Sequence, residues 1–485
     1  MEAVVGHVVG LTLAACGAVL LVCALVDLTD RGDATLALAV TGAVSLLLGG
    51  ALWRGLPFPS RIRTVEAFSA VGAGAGAMIA VSTVVYLVTG TFERFDHALF
   101  ESVAGFSTTA LSVLQPLEAT ADGVLLWRAS TQWLGGLGSM LVVIGVMPSL
   151  GLAGLEITEA GHRGGALVVL TPGLRRLLRR LVQLYAVLTA AGVVLYLVGG
   201  MTPFDAVTYA LTTISTGGFA NHARSFTHFD SEALEWAAVG GMVLGGANLA
   251  LVWHGLRGVT DSFLRSVELR AYLAILSVSA VALVVWTAPS GGITHESARH
   301  AVFTVASAVS STGYTVSDWG VWSHGAQLLL LVVIGIGSMS GSTGGGFRVL
   351  RVLTLLAYVR REIVSQLHPQ AVTVVKVGRV PIDDTITSRM IGHQALYVLI
   401  AAAGAVAIAA TGTDLTTAVS GAISAMATFG PALGDLARTE GALALDAPAR
   451  AALMVLMVVG RLEIYPLLVG GGLVGAVRRL ARLAS

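Results

Sequence analysis

The chain has 485 residues, of which 55% are hydrophobic and 12% are charged, and its formal net charge is +1. Soluble globular proteins carry about 25% charged residues, so this composition excludes that class and indicates an integral membrane protein with several spans. The nearly balanced charge gives no electrostatic basis for binding nucleic acid. Both cysteines, Cys16 and Cys23, lie in the first apolar segment, so we predict no disulfide framework.

Ten apolar segments are long enough to cross a hydrocarbon core of about 30 Å. Four other apolar stretches are too short to span it and suit half-helices that enter the membrane and turn back. The polar, glycine-rich sequence GSMSGSTGGG interrupts the eighth long segment. The long segments lie near 7–28, 33–53, 65–90, 123–148, 182–201, 233–256, 270–288, 325–358, 388–411 and 449–475. The short stretches lie near 95–107, 204–214, 299–310 and 415–427.

Basic residues are distributed unevenly between the segments that connect the spans. With the N-terminus placed inside, the inner segments hold 19 lysine and arginine residues and the outer segments hold 7. Cytoplasmic loops of membrane proteins carry such an excess. We therefore expect cytoplasmic N- and C-termini, with all four half-helices entering from the outer side.

A strip rich in serine, threonine and glycine ends each short stretch, which makes an internal repeat of about one hundred residues. One such strip alone would suit an ordinary outer loop, but four at matched positions argue for a shared purpose. We expect residues 1–60 to form an N-terminal pair of transmembrane helices, and residues 61–160, 161–262, 263–365 and 366–485 to form four repeats. The strips are STTA at 107–110, ISTG at 214–217, SSTG at 310–313 and ATFG at 427–430.

The repeated unit consists of a span, a half-helix, a polar strip and a second span. A half-helix that ends in mid-membrane directs its partly negative C-terminal end inward. Non-helical backbone at that depth is tolerated where it lines a water-filled path, and its carbonyls and hydroxyls replace the hydration shell of a cation. The predicted fold is an all-α membrane protein with about ten transmembrane helices, in which four repeats surround one central pore.

Six motifs occur in order between residues 65 and 475. They are LLWRASTQWLGGLGSM (125–140), ISTGGF (214–219), SSTGY (310–314), GSTGGGFRVLR (341–351), HPQAV (368–372) and GRLEIY (460–465). By these motifs the chain resembles the Trk/Ktr/HKT superfamily of potassium transporters, and within it the bacterial TrkH branch. The resemblance implies potassium as the transported ion, no organic cofactor in this chain, a homodimer and a cytosolic, TrkA-like nucleotide-binding regulatory ring. It also implies a multi-pass protein of the bacterial inner membrane.

The resemblance places a selectivity filter on the four strips. In the first strip the family usually has glycine where this chain has Ala110. In the plant HKT branch, a residue other than glycine at that position accompanies sodium permeability. A sodium-permeable, or sodium- or proton-coupled, variant is therefore the alternative to potassium uptake. The implied filter residues are Thr108, Thr109, Ala110, Ser215, Thr216, Gly217, Ser311, Thr312, Gly313, Thr428, Phe429 and Gly430, with potassium held at Thr109, Ala110, Thr216, Gly217, Thr312, Gly313, Phe429 and Gly430.

The sequence GSMSGSTGGGFRVLR at 337–351 lies inside an apolar segment. A phosphate-binding loop would need a G-K-[ST] ending after a strand, which this sequence lacks. A flexible kink in a helix is one interpretation. The resemblance implies another, a gating loop lodged in the pore beneath the filter. The implied gating residues are Gly341, Ser342, Thr343, Gly344, Gly345, Gly346 and Arg348.

Arg461 lies deep in the last apolar segment, where a charge is costly and indicates function. A salt-bridged or snorkelling structural arginine is the alternative interpretation. Glu463 does not face Arg461 on a helix, because residues two apart point in different directions, but it is a candidate partner for Arg348 or Arg351. The resemblance implies that Arg461 projects into the pore as an electrostatic barrier.

Two other classes of function compete with a pore. An intramembrane enzyme would need a nucleophile or paired-carboxylate motif, and GxSxG, HExxH and GxGD patterns are all lacking, so we predict no enzymatic activity. A coupled carrier typically has inverted repeats, whereas these four repeats share one orientation. That favours a pore, and it leaves coupling to protons or sodium open.

Overall fold

A computed structural model describes residues 2–30, 32–56, 62–145, 167–168, 172–258, 263, 265–287, 292–370, 373–378, 380–437, 441–464 and 467. Over these ranges the fold is mainly α-helical, with two minor antiparallel sheets in which Ile62–Arg63 pairs with Leu167–Val168 and Lys376–Val377 pairs with Val380–Pro381. The helices are α1 (Glu2–Thr29), α2 (Thr35–Gly55), α3 (Thr64–Val88), α4 (Phe95–Ser107), α5 (Asp122–Gly145), α6 (Pro172–Val198), α7 (Pro203–Ile214), α8 (Glu232–Gly245), α9 (Leu249–Leu256), α10 (Val267–Thr287), α11 (His295–Ser310), α12 (His324–Ile336), α13 (Val349–Leu367), α14 (Asp384–Ala409), α15 (Leu415–Met426) and α16 (Ala447–Leu462). The strands are β1 (Ile62–Arg63), β2 (Leu167–Val168), β3 (Lys376–Val377) and β4 (Val380–Pro381).

The first two helices form a closely packed pair. Their contact is made by glycines, and a β-carbon on Gly17 would lie 2.5 Å from the backbone nitrogen of Leu46. Small residues allow such close approach between helices in a membrane. The carboxylate of Asp27, buried at the end of α1, accepts hydrogen bonds from Ala34 N and from the Thr35 hydroxyl, which holds the start of α2.

Six described helices are long and apolar enough to cross a membrane, namely α1, α2, α3, α6, α10 and α14. The predicted span at 233–256 is not one helix, because α8 and α9 meet at an angle of 107°. Asn248 caps α9 by accepting from Leu251 N, and a side chain on Gly246 would meet the backbone of Ser310. The predicted span at 449–475 is helical only to Leu462, and most of its remainder lies outside the described residues.

All four short apolar stretches form helices, α4, α7, α11 and α15, as predicted. Three begin at a side-chain cap, which satisfies the free N–H groups of the first turn. The caps are Thr202 for α7, Thr294 for α11 and Asp414 for α15. The second half of each helix is almost entirely buried in protein, so the polar strips that follow are held in the interior.

Ion pairs made by buried arginines connect half-helices with neighbouring helices near the beginnings of the half-helices. Arg450 on α16 donates to Asp96 on α4 at 2.8 Å. Arg299 on α11 donates to Glu235 on α8 at 2.7 Å. Both arginines are among the seven basic residues that the sequence places in outer segments, yet their side chains are less than a tenth exposed. Breaking a buried ion pair is costly, so the buried Arg299–Glu235 pair in particular helps to fix the arrangement of the helices around the strips.

Candidate ion pathway

The four strips share one backbone conformation at the ends of the half-helices. The residues that leave the helices, Thr108, Thr216, Ser311 and Thr428, have φ values of 54°, 53°, 57° and 54°. Side chains other than glycine seldom adopt this left-handed conformation. Its recurrence at all four helix ends indicates one repeated device rather than four unrelated loops.

Equivalent hydrogen bonds at the four half-helix ends show which residues of the strips correspond to one another. In each strip the next residue donates its N–H to the carbonyl five residues earlier, at 2.8–2.9 Å. The equivalent donors are Thr109, Gly217, Thr312 and Phe429, and their acceptors are Ala104, Thr212, Ser307 and Ser424.

The correspondence between the strips differs from the alignment of STTA, ISTG, SSTG and ATFG that the sequence suggested. Thr109 is equivalent to Gly217, so Ala110 is equivalent to Gly218 rather than to Gly217. Gly218, Gly313 and Gly430 have φ values of 76°, 89° and 109°, whereas Ala110 has no positive φ. Two successive glycines in ISTGGF concealed the offset. Gly218 was thus missing from the residues predicted from the sequence, and the hydrogen bond of Gly217 N and the left-handed conformation of Thr216 identify it.

Ala110 lies where the other three strips converge. A β-carbon on Gly313 would lie 2.5 Å from the Ala110 methyl group, and one on Gly218 would lie 2.9 Å from it. A β-carbon on Gly430 would lie 2.5 Å from Ala110 N. The methyl group therefore occupies the space that the equivalent glycines of the other strips leave open.

The first strip also lacks a supporting hydroxyl. In the third strip Ser307 Oγ accepts from Gly313 N at 3.1 Å, and in the fourth Ser424 Oγ accepts from Gly430 N at 2.9 Å. The equivalent residue in the first strip is Ala104, which has no hydroxyl. Ala110 N instead donates to Phe429 O in the fourth strip at 3.3 Å. Without a positive φ at Ala110, and with its N–H bonded across to the fourth strip, the first strip has a conformation unlike the other three.

The glycine-rich interruption at 337–348 is a buried loop that lies against the beginnings of three strips. The hydroxyl of Thr343 donates to Ile214 O at 2.9 Å. Gly345 N donates to Ser311 Oγ at 2.7 Å, and a β-carbon on Gly345 would meet Ala427 O at 2.5 Å. The loop thus contacts the second, third and fourth strips at the half-helix ends. It is an ordered non-helical segment rather than a helix kink.

Arg461, on the last turn of α16, reaches the same loop. Its Nη1 donates to Thr343 O at 2.7 Å, and the side chain is buried. Its Nε and Nη2 atoms have no hydrogen-bond partner among the described residues. Buried polar groups are normally satisfied, so an arginine with two free nitrogens beneath the strips is a candidate functional group.

Glu463 is the centre of a separate buried ion-pair cluster. Its carboxylate accepts from Arg348 Nε at 3.1 Å and from Arg351 Nη2 at 2.7 Å, and His393 Nε2 lies 3.2 Å away. Both arginines are candidate partners of Glu463 by sequence, and the Glu463 carboxylate binds the two together. The cluster connects the end of α16 with the start of α13, where the loop ends.

The segment after the second strip forms a compact rim. The imidazole rings of His222 and His228 stack at 3.6 Å with an interplanar angle of 9°, and His222 Nε2 lies 3.3 Å from Asp205. The His222 side chain is partly buried. Beside it, Ala223 N donates to Glu118 at 3.0 Å, and this bond lowers the pKa of the Glu118 carboxyl.

A family model described as TrkH, cation transport protein, matches residues 38–471. This chain belongs to the TrkH family of cation transport proteins. Among the relatives of this TrkH-family chain, the Trk system potassium uptake protein TrkI of Halomonas elongata is 32% identical over 77% of this chain and 76% of its own length. The Trk system potassium uptake protein TrkH of Vibrio parahaemolyticus is 29% identical over 96% of this chain and 97% of its own length.

The fold agrees with a solved structure of the same family. The crystal structure of the potassium transporter TrkH from Vibrio parahaemolyticus matches this TrkH-family chain with a TM-score of 0.85 and 27% sequence identity. The match covers 97% of this chain and 98% of the other. The family predicted from the motifs and the all-α membrane fold predicted from the apolar segments are therefore confirmed.

Proposed function

We propose that this chain takes up potassium across the bacterial inner membrane through a channel-like pore. The observation that carries the proposal is the convergence of four strips with one backbone register around Ala110. Each strip begins at the C-terminal end of a buried half-helix, whose partly negative dipole end attracts a cation. The names of the relatives, which specify potassium uptake, support potassium as the ion.

In this proposal the strips form the selectivity filter, and each belongs to one of the four repeats that follow the N-terminal helix pair at 1–60. Backbone carbonyls and hydroxyls would replace the hydration shell of the ion. The backbone register adds Gly218 to the second strip. The filter then consists of Thr108, Thr109 and Ala110, Ser215, Thr216, Gly217 and Gly218, Ser311, Thr312 and Gly313, and Thr428, Phe429 and Gly430.

Sodium permeability is the second candidate function, and the geometry around Ala110 favours it. The Ala110 methyl group lies between Gly218 and Gly313, and Ala110 N donates a hydrogen bond to Phe429 O. Selectivity depends on the number and field strength of the carbonyls that face the ion. A strip with a different conformation therefore alters the discrimination between potassium and sodium.

The loop from Gly341 to Arg348 is proposed as the gate. Its contacts with Ile214 O and Ser311 Oγ place a plug against the half-helix ends. Arg461 holds the loop through Thr343 O and adds a positive charge, which opposes cation flux. A gate of this kind opens when the loop leaves the strips.

A homodimer and a cytosolic, TrkA-like nucleotide-binding ring complete the proposal. The names of the relatives refer to a Trk system, which supports a multi-component assembly. Basic residues near the ends of α6 and α13, including Arg179, Arg180 and Arg360, are candidates for contact with the ring. The positive-inside rule alone also accounts for them.

The deciding experiment is rescue of a bacterium that lacks its own potassium uptake systems. Growth at low external potassium, with and without added sodium, is expected to depend on this chain. Uptake of potassium and sodium by purified protein in liposomes separates the two candidate ions. Absence of both rescue and monovalent-cation flux would refute the proposal.

A further inference from the structure

Two of the four strips are supported from within their own repeat. In the third strip, Ser307 Oγ accepts from Gly313 N at 3.1 Å and donates to Tyr314 O at 2.8 Å. In the fourth strip, Ser424 Oγ accepts from Gly430 N and donates to Pro431 O, both at 2.9 Å. One serine in each half-helix thus holds the strip that follows it on both sides of the filter glycine.

The first and second strips have no such serine. The equivalent residues are Ala104, which has no hydroxyl, and Thr212, whose hydroxyl lies 2.5 Å from the hydroxyl of Tyr314. Neither side chain bonds to its own strip. Some other group must therefore hold these two strips in place.

Gln132 on α5 provides that support for both strips at once. Its Nε2 donates to Gly217 O at 2.8 Å and to Thr109 O at 3.4 Å, and its Oε1 accepts from Phe219 N at 3.0 Å. Thr109 and Gly217 are equivalent in the backbone register. A single side-chain amide therefore joins two equivalent carbonyls of neighbouring strips. The Gln132 side chain is completely buried.

Arg128, four residues earlier on α5, extends the same contact. Its Nη1 donates to Ala220 O at 2.8 Å, and its guanidinium carbon lies 3.6 Å from the centre of the Phe219 ring. Its Nε donates to the fully buried Glu101 of α4 at 2.6 Å. Residues four apart on a helix share a face, so one face of α5 binds the second strip and, through Glu101, the first half-helix.

We propose that Gln132 is a positioning residue that determines ion specificity by setting the separation and field strength of the Thr109 and Gly217 carbonyls. This inference rests on the proposed function. An N–H donor bonded to a carbonyl reduces the negative charge that the carbonyl offers to an ion, and a weaker field favours potassium over the more strongly hydrated sodium. Removing the donors frees the two carbonyls to move inward and strengthens their field.

The test measures initial potassium and sodium uptake by the full-length protein in liposomes. Gln132→Met keeps the length of the side chain and removes all three hydrogen bonds. We expect the ratio of potassium to sodium uptake to fall about fivefold, the equivalent of one net hydrogen bond. Gln327→Met is the matched control, because the Gln327 amide also donates to two carbonyls, Gly320 O and Trp322 O, outside the strips.

Gln132→Glu separates positioning from packing. Glutamate keeps the size of the side chain and an acceptor for Phe219 N, but it has at most one donor hydrogen and cannot replace the two N–H bonds of the amide. The uptake ratio is expected to fall in this variant as well, even if Gln132→Met does not fold. A wild-type ratio in a folded Gln132→Met or Gln132→Glu variant would overturn the inference. Loss of uptake of both ions in equal proportion would do the same, since a purely structural residue changes the amount of active protein and not the ratio.

The same uptake measurements distinguish a failure of the proposed function from a failure of the inference about Gln132. If the wild-type protein carries neither ion, the pore itself is refuted, and the inference falls with it. If the wild-type protein is selective and every Gln132 variant is equally selective, only the role of Gln132 is refuted.

Discussion

The hydroxyl of Thr343 donates a hydrogen bond to the carbonyl oxygen of Ile214 at 2.9 Å, across 129 positions of the chain. The same hydroxyl lies 3.0 Å from Gly245 O, and the Thr343 carbonyl accepts from Arg461 at 2.7 Å. One residue of the glycine-rich loop therefore joins the end of a half-helix, the broken span and the buried arginine. The position of the loop and the state of the strips are physically connected through Thr343.

Thr343→Val is expected to raise ion flux in the absence of any regulatory partner. Valine keeps the shape of threonine and removes the hydroxyl that holds the loop against the half-helix end. The lost bond corresponds to about 1 kcal/mol, or about a fivefold increase in basal flux. Flux in liposomes measures the effect. Thr354→Val is the matched control, because the equally buried Thr354 hydroxyl donates only to Leu350 O in its own helix.

Ala110→Gly is expected to raise the ratio of potassium to sodium uptake. Glycine permits the left-handed backbone that Gly218, Gly313 and Gly430 adopt, and it removes the methyl group from between the strips. Alanine at residue 110 would pay about 1 kcal/mol to adopt that backbone conformation. Glycine removes this cost, which corresponds to about a fivefold change in the uptake ratio. The double variant Ala104→Ser, Ala110→Gly supplies the missing hydroxyl and is expected to exceed the single variant. An unchanged ratio in both variants contradicts a selectivity role for Ala110.

Arg461→Ala is expected to raise potassium flux about tenfold, equivalent to about 1.4 kcal/mol of barrier. The change removes a buried positive charge and the bond to Thr343 O. Arg461→Lys retains the charge and is expected to keep flux near the wild-type value. Conductance of single molecules in a planar bilayer is the measurement. A lower thermal midpoint with unchanged conductance would identify Arg461 as a structural residue instead.

Glu463→Gln is expected to destabilise the protein by about 3–5 kcal/mol, because it removes the charge of the carboxylate that pairs with both Arg348 and Arg351 in the interior. The midpoint of thermal unfolding in detergent measures the loss. Glu362→Gln is the comparison, since the Glu362 carboxylate pairs with Arg361 at a site that is 45% exposed, where solvent screens the interaction. Equal midpoints for the two variants would show that the Glu463 cluster contributes no stability.

The lengths of apolar segments predicted much of the architecture. A span needs about twenty apolar residues, so the sequence separated long helices such as α3 and α14 from half-helices such as α4 and α15. The break at Gly246 was not predicted, because the apolar run continues through it. At the bend, Gly246 packs against the backbone of Ser310, and Asn248 caps the helix that follows. A hydropathy pattern does not report either contact.

The sequence by itself determined the membrane class, the four half-helices and the four polar strips, because segment length and local composition encode them. Tertiary structure decided that Ala110 is equivalent to Gly218, that Glu463 binds both Arg348 and Arg351, and that Gln132 supports two strips. Each of these depends on atoms brought together from distant parts of the chain. Gln132 lies 85 positions from Gly217 and 23 from Thr109. Local patterns specify which segments form helices, and only packing specifies which side chain reaches which carbonyl.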